Sequence, residues 1–298
     1  MNRFAKNAVR LVFFFLTAFF MLFAVSFAEP AGVIIVGDTQ LKPVLDIISG
    51  IQATLAVQFK VYSPESVKGR LRDVAEKEKA LLVIALGREA VDEALRLPPS
   101  IAVIYDLVII PPIVNRANMT GFYMATPVER YIEVIENYLP SIRRIAVVGS
   151  SNLVKILGVA DSPQVVSYRV KNSLEFVSTI KRLDGFDAIL LLPDSAVLTA
   201  TAVEEVYLLS FKKGIPILGV SEKYVKQGAL FSLVLEPSDV GRQIGERASR
   251  AMAGGVDLGS FPPSPSRKFA MFINTDTARR MMIRVPPELL RKAKRAYP

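Results

Sequence analysis

Leu81-Leu82-Val83-Ile84-Ala85-Leu86-Gly87 is the stretch whose reading decides the fold. Six apolar residues in a row, closed by glycine, are too short for an independent helix and do not alternate with polar residues. They read as a strand buried on both faces, the habit of a parallel sheet covered by helices above and below. The pattern repeats outward. Val33-Ile34-Ile35-Val36-Gly37 is an earlier copy, Val57 to Tyr62 a second strand, and Ile101-Ala102-Val103-Ile104-Tyr105 a later copy. Between them, Leu45 to Leu55, Pro64 to Lys79 and Arg88 to Leu97 read as helices, the second charged on one side. Buried strands alternating with helices predict a doubly wound α/β unit.

Leu107 to Asn118, with Pro111-Pro112, reads as a connection, Met119 to Met124 as another strand, and Pro127 to Leu139 as a helix. The pattern then restarts. Arg144 to Ser150, Val165 to Val170, Ala188 to Asp194, Ile215 to Gly219 and Leu230 to Leu235 are predicted strands. Ser173 to Leu183 and Ala202 to Lys213 are predicted helices, the latter stopped by Gly214. The tail adds a helix from Asp239 to Ala253, a Pro/Ser-rich linker from Phe261 to Ser266 and a strand from Phe269 to Ile273. Thr275 to Met282 and Pro287 to Ala296 read as helices. Two passes of one architecture predict two similar lobes.

Composition narrows the chemistry. The 298 residues include no cysteine and no histidine. Disulfides, thiolate metal sites, cysteine nucleophiles and the usual neutral-pH general base are therefore absent. Tryptophan is also missing. Net charge is +9, and the last 20 residues hold seven basic side chains against Glu288 alone. No nucleic-acid-binding motif accompanies this basic end, which reads as a solvated surface and predicts no nucleic-acid partner.

Residues 1–28 read as an address. Arg3, Lys6 and Arg10 precede an apolar run from Leu11 to Val25, and Ser26-Phe27-Ala28 places small residues three and one before a cut ahead of Glu29. That is the layout of a secretory signal peptide. The apolar stretch, about 18 residues to Ala28, is also at the lower limit for spanning a bilayer, so an uncleaved anchor is the alternative. Either reading places the rest of the chain outside the cytoplasm.

In open α/β sheets, ligands bind beyond the carboxyl ends of the strands. There the first pass places Asp38, Thr39 and Gln40, then Gly87 and Arg88, then Asp106. The second pass places Ser150, Ser151 and Asn152, then Asp194 and Ser195, then Ser221 and Glu222. Each alone could be a helix cap or a turn former; together they form a candidate ligand-binding set. Asp38, Asp106 or Asp194 could meet an amine, and Arg88, Ser150 and backbone N–H groups a carboxylate. No P-loop, G-x-G-x-x-G or G-x-S-x-G motif is present, and no catalytic residue, metal site or cofactor is predicted.

Leu192-Pro193-Asp194-Ser195, the stretch from Lys213 through Leu230, and Asp239-Val240-Gly241-Arg242-Gln243-Ile244-Gly245 carry a strong resemblance to ABC-transporter substrate-binding proteins related to tryptophan-binding proteins. Ile273-Asn274, Thr277-Ala278 and Pro286-Pro287 extend it, and Lys42 to Asp46 with Asn118 to Gly121 add matches in the first half. The resemblance implies a type I periplasmic binding fold, α/β with two Rossmann-like lobes joined by three crossovers. It implies an N-terminal lobe of residues 29–125 plus about 237–266, and a C-terminal lobe of 126–236 plus about 267–298. It also implies an amino acid or related small ligand in the inter-lobe cleft, an ABC permease as partner, and a monomer. The chain departs from the family where the cleft is expected. The usual Thr-Asp-Pro-Val is Tyr105-Asp106-Leu107-Val108, Gly-Thr-Pro-Ala is Gly87-Arg88-Glu89-Ala90, and the turn that is often Tyr-Asn-Pro is Gly149-Ser150-Ser151-Asn152. Arg88 in place of a small residue points to a carboxylate-bearing ligand. A ligand-sensing or partner-docking protein of the same fold is the alternative; an enzyme or a DNA-binding repressor is disfavoured by the missing histidine, cysteine and helix-turn-helix.

Overall fold

The structure, a computed structural model, describes residues 32–113, 116–254 and 257–298. The segment read as an export signal lies outside the described residues.

The first pass runs β1 (Val33–Val36), α1 (Lys42–Gln52), β2 (Lys60–Tyr62), α2 (Pro64–Val67), α3 (Leu71–Lys77), β3 (Leu82–Leu86), α4 (Arg88–Ala94), β4 (Ala102–Asp106) and β5 (Met119–Tyr123). The single helix expected over Pro64 to Lys79 is two. Gly69 adopts φ +69°, and its N–H leaves the helical ladder to bond the Glu93 carboxylate at 2.9 Å. A left-handed glycine ends a helix wherever a tertiary acceptor takes up the freed donor.

The second pass runs α5 (Val128–Tyr138), β6 (Ile145–Gly149), α6 (Ser151–Ile156), β7 (Val165–Arg169), α7 (Ser173–Arg182), β8 (Ala188–Leu191), α8 (Ala200–Lys213), β9 (Ile217–Gly219), α9 (Glu222–Gln227) and β10 (Phe231–Leu235). Caps set these boundaries. The Asn172 side chain accepts from the Glu175 N–H at 2.9 Å, and Gly214 closes α8 at φ +66°. The tail comprises α10 (Pro237–Met252), a 3₁₀ turn (Leu258–Ser260), β11 (Ser264–Pro265), β12 (Phe269–Asn274), α11 (Thr275–Arg280), α12 (Pro287–Lys292) and β13 (Arg295–Tyr297). The last helix was expected to reach Ala296. It stops at Lys292, and the chain instead adds a strand parallel to β12, pairing Phe272 with Arg295 and Asn274 with Tyr297.

The strands form two sheets. The first has the order β11-β5-β4-β3-β1-β2, every pair parallel. The second has the order β13-β12-β10-β9-β8-β6-β7, parallel except where β12 runs antiparallel to β10. Both repeat the 2-1-3-4-5 winding, and each sheet is apolar on both faces. Ile34, Val36, Val83 and Ala85 pack under α2 to α4, while Val33, Ile35, Leu82 and Ile84 pack under α1 and α10. In the second sheet Ala146, Val148, Ile189 and Leu191 lie under α7 and α8, and Ile145, Val147 and Leu190 under α5 and α12.

Three segments join the sheets: Met124 to Pro127 between β5 and α5, Glu236 between β10 and α10, and Ser266 to Lys268 between β11 and β12. They are tied laterally. The Thr126 hydroxyl donates to the Leu233 carbonyl at 2.8 Å. Buried Gln243 donates to the Asp239 carboxylate at 2.8 Å and to the Ser266 hydroxyl at 3.1 Å, and Lys294 pairs with Glu236 at 2.7 Å.

Helix α10 returns from the second sheet and lies directly on α1. A side chain at Gly241 would meet the Ile47 carbonyl at 2.1 Å, and one at Gly50 would meet the Ser238 carbonyl at 2.2 Å. Backbone contact this close adds cross-helix bonds from the Thr54 hydroxyl to the Arg242 carbonyl at 3.1 Å and from the Ser249 hydroxyl to the Thr54 carbonyl at 3.2 Å. Gly241→Val is therefore expected to destabilise the protein by about 1–3 kcal/mol through overpacking. Thermal denaturation should show the loss, and an unchanged melting temperature would mean that the helices separate without penalty.

Candidate ligand-binding site

The parallel winding places the turns after β1, β3, β4 and β5 along one edge of the first sheet. A cavity of about 440 Å³ opens there. Asp38 enters it from the turn after β1, Gly87 and Arg88 from the turn after β3, Leu107 from the end of β4 and Met124 from the end of β5. Leu41, Pro43 and Val44 close one side from the start of α1, Pro64 from α2, and Glu89 and Ala90 from α4. Its volume suits a small organic solute.

The polar groups sit at the rim. Asp38 is half-buried, and one carboxylate oxygen accepts from the Gln40 N–H at 2.9 Å, closing a tight turn. Thr39 and Gln40 are exposed on that turn and do not line the cavity. The Arg88 side chain is 83% exposed and stands 3.7 Å from the Asp92 carboxylate. So loose and solvated a pair holds the guanidinium weakly and leaves it able to turn toward an anion. Gly87 has φ +96°, which only glycine adopts readily, and its N–H bonds the Asp106 carbonyl at 2.9 Å.

Asp106 lies beneath the wall, 2% exposed. Burial pushes its carboxyl up to about 7, opposed by a hydrogen bond from the Leu107 N–H. Leu107 itself has φ +58°. A left-handed backbone at a side-chain-bearing residue carries a penalty of roughly 1–2 kcal/mol. The surroundings hold it there: the Asp106 carboxyl takes its N–H, and the next residue, Val108, accepts at its carbonyl from the Met124 N–H at 2.8 Å.

The second-sheet candidates lie at the matching carboxyl ends but not on this cavity. Ser150 is half-buried at the N-cap of α6, followed by exposed Ser151 and Asn152. Asp194 closes its own turn, with its carboxylate accepting from the Ala196 N–H at 3.0 Å and its carbonyl from the Leu198 N–H at 2.7 Å; Ser195 is exposed beside it. Ser221 is the N-cap of α9 and Glu222 its first residue. The Glu222 carboxylate is engaged by the chain end: the Tyr297 hydroxyl donates to it, Lys226 stands 3.2 Å away and Arg295 3.7 Å away. The Tyr297 bond, ahead of Lys226, holds this carboxyl below its ordinary range. The structure thus gathers Asp38, Gly87 and Arg88 on one cavity, buries Asp106 under it and leaves the second-sheet group apart.

Sequence reasoning overlooked the apolar wall of Leu41, Leu86, Leu107 and Met124. A search for polar groups after strands passes over aliphatic residues by construction. Leu107 left one signal, since it stands where the resembled family has proline.

A second hollow of about 410 Å³ lies by the outer strand β2, lined by Tyr62, Ser66, Arg70, Asp73, Lys77 and Glu78. One of its two acids, Glu78, is engaged, because it pairs with Lys60 and accepts from the Tyr62 hydroxyl at 2.9 Å. Among the described residues no cluster of three or more Asp or Glu could hold a metal ion, and no helix is long and apolar enough to cross a membrane.

The buried Asp106 carries a linkage consequence. Its carboxyl is raised in the folded state from an ordinary 3.8, so the fold favours the protonated form. Stability contributed by that proton is complete below pH 4 and is lost as pH rises through 7. Asp106→Asn keeps an acceptor for the Leu107 N–H without the charge. The melting temperatures of variant and wild type should coincide near pH 4, with the variant the more stable at pH 8; parallel curves would show that Asp106 ionises without penalty.

Over residues 107–297 the sequence matches the ABC transporter substrate binding protein family. Comparison with curated proteins returns no match. Among solved structures, a conserved domain protein from Vibrio cholerae is 20% identical, covering 90% of this chain and all of its own, with a TM-score of 0.58. An ABC domain from Streptococcus pneumoniae in complex with L-Trp is 20% identical, covering 89% of this chain and 99% of its own, with a TM-score of 0.53. A ligand-free, open substrate-binding protein with adhesive properties from Clostridium difficile is 16% identical, covering 89% of this chain and 98% of its own, with a TM-score of 0.66. At these identities the likeness shows the fold, which is that of type I periplasmic binding proteins.

Proposed function

We propose, starting from the fact that this chain belongs to the ABC transporter substrate binding protein family, that it captures a small carboxylate-bearing solute such as an amino acid outside the cytoplasm and delivers it to an ABC permease. The observation that carries this reading is the cavity at the carboxyl edge of the first sheet, with Arg88 and Asp38 at its rim and an apolar interior. Arg88 is the group for the carboxylate, because a guanidinium offers paired donors to its two oxygens. Asp38 is the group for an amine.

We assign residues 29–125 and about 237–266 to the lobe that bears this cavity, and 126–236 and about 267–298 to the other. Ser150, Asn152, Asp194 and Ser221 belong to the opposing face in this reading. Solute contacts made by both lobes favour the closed arrangement and shift the population toward it. The solute is bound and released unchanged. The leader at residues 1–28 directs export.

Titration calorimetry of the purified protein against amino acids, short peptides and organic acids tests the reading. A carboxylate-bearing solute should bind, and Arg88→Ala should weaken it at least tenfold without lowering the melting temperature of the unliganded protein. Binding insensitive to Arg88→Ala would remove Arg88 from the site, and no heat with any solute would sink the solute-binding role.

A further inference from the structure

We infer that Leu107 is a specificity-determining residue, and that the solute presents an aliphatic body to a wall built around it. The inference rests on the solute-binding reading above and adds to it the chemistry of the solute away from its charged end. Three observations meet here.

The first is the make-up of the wall. Leu41, Leu86, Leu107 and Met124 are all aliphatic or thioether side chains, Pro43 and Val44 continue the surface, and none of the residues lining the cavity is aromatic. A sugar is ordinarily held by flat rings against its faces and by polar groups on its hydroxyls. This wall supplies neither, and a hydroxyl pressed on it would lose its hydrogen bonds to water without replacement. A hydrocarbon body gains by the same contact. The second is exposure. Leu41 is 53% exposed and Met124 38% exposed. Apolar surface left open within a concave site is surface that a ligand can cover.

The third is the backbone at Leu107. Its φ of +58° is closed to proline, whose ring fixes φ near −65°. The chain therefore follows a different path here from any sequence with proline at this point. That path is held by the Asp106 carboxyl and by the bond from the Met124 N–H to the Val108 carbonyl. Glycine would adopt it without strain and asparagine with little. The half-buried leucine side chain carried on this backbone packs against the core under α1 and α10 on one side and lines the cavity on the other.

The experiment uses the full purified protein, titration calorimetry and a fixed panel of solutes. L-leucine, L-isoleucine and L-methionine represent aliphatic bodies, L-tryptophan and L-phenylalanine aromatic ones, L-serine, L-asparagine and L-glutamate polar ones, and D-ribose and D-glucose sugars. The tightest binder is expected among the aliphatic members. Leu107→Asn should weaken it at least tenfold, and Leu107→Gly similarly, with the unliganded protein still folding cooperatively, since relief of the backbone strain offsets part of the packing lost against the core. Leu107→Met, which keeps an apolar side chain, should restore affinity to within a few-fold of wild type. A polar or aromatic amino acid as the tightest binder would overturn the inference while leaving the solute-binding reading in place, and a sugar would overturn it together with the role of Arg88 as carboxylate partner. Aliphatic binding indifferent to Leu107→Asn would overturn the role of Leu107. No binding by any solute would overturn both readings together.

Discussion

The contact between α1 and α10 is the constraint on which the rest of the molecule depends. These helices are separated by nearly two hundred residues and by an entire second sheet. They meet because Gly50, Gly241 and Gly245 leave no side chains between them. A chain that leaves one sheet, builds another and returns needs a point at which the return is registered, and backbone contact registers it to within a fraction of a helical turn. The same contact holds the start of α1, and with it Leu41, Pro43 and the neighbouring Asp38 turn, at the carboxyl edge of the first sheet. The cavity is thus positioned by an element remote from it in sequence.

Order where the chain crosses between the two sheets is carried by different chemistry. Gln243, Asp239 and Ser266 form a buried polar cluster where α10 begins and β11 ends, and Arg242 and Lys268 stand beside the Asp239 carboxylate at 2.9 and 3.5 Å. Buried polar groups are kept only when each has a partner. Directional bonds between side chains fix the geometry of the backbone segments they join more narrowly than non-directional apolar contact would.

How much of this was legible in the sequence follows from the range of the forces involved. Strands such as Val33–Val36 and Leu82–Leu86 are buried on both faces, so their composition alone declares them. The restart of the pattern after Leu139 announced the second sheet for the same reason. The split of the Pro64 to Lys79 helix was not legible, because it depends on Glu93, an acceptor 24 residues away from Gly69. Nor was the strand at Arg295–Tyr297, whose residues have ordinary helical preferences and which forms only because β12 offers an unpaired edge. On the cavity, Asp38 and Arg88 were visible because polar residues after strands stand out, and Gly87 because a glycine closing an apolar strand marks a tight turn. The aliphatic wall was invisible, since Leu41 or Met124 read singly is indistinguishable from core. The occupation of Glu222 by Tyr297 was equally hidden, because 75 residues separate them.

That final strand has a bearing on how the protein behaves in company. Without it, β12 would present a row of unsatisfied N–H and C=O groups at the border of a six-stranded sheet, a template on which a neighbouring chain could lay its own strand. The last residues occupy the template with three residues only, Arg295 exposed among them and Pro298 just beyond. A short border, charged and followed by a residue without an N–H, gives a stranger little to extend. The strand Arg295–Tyr297 therefore covers an edge that β12 would otherwise offer to a neighbouring chain.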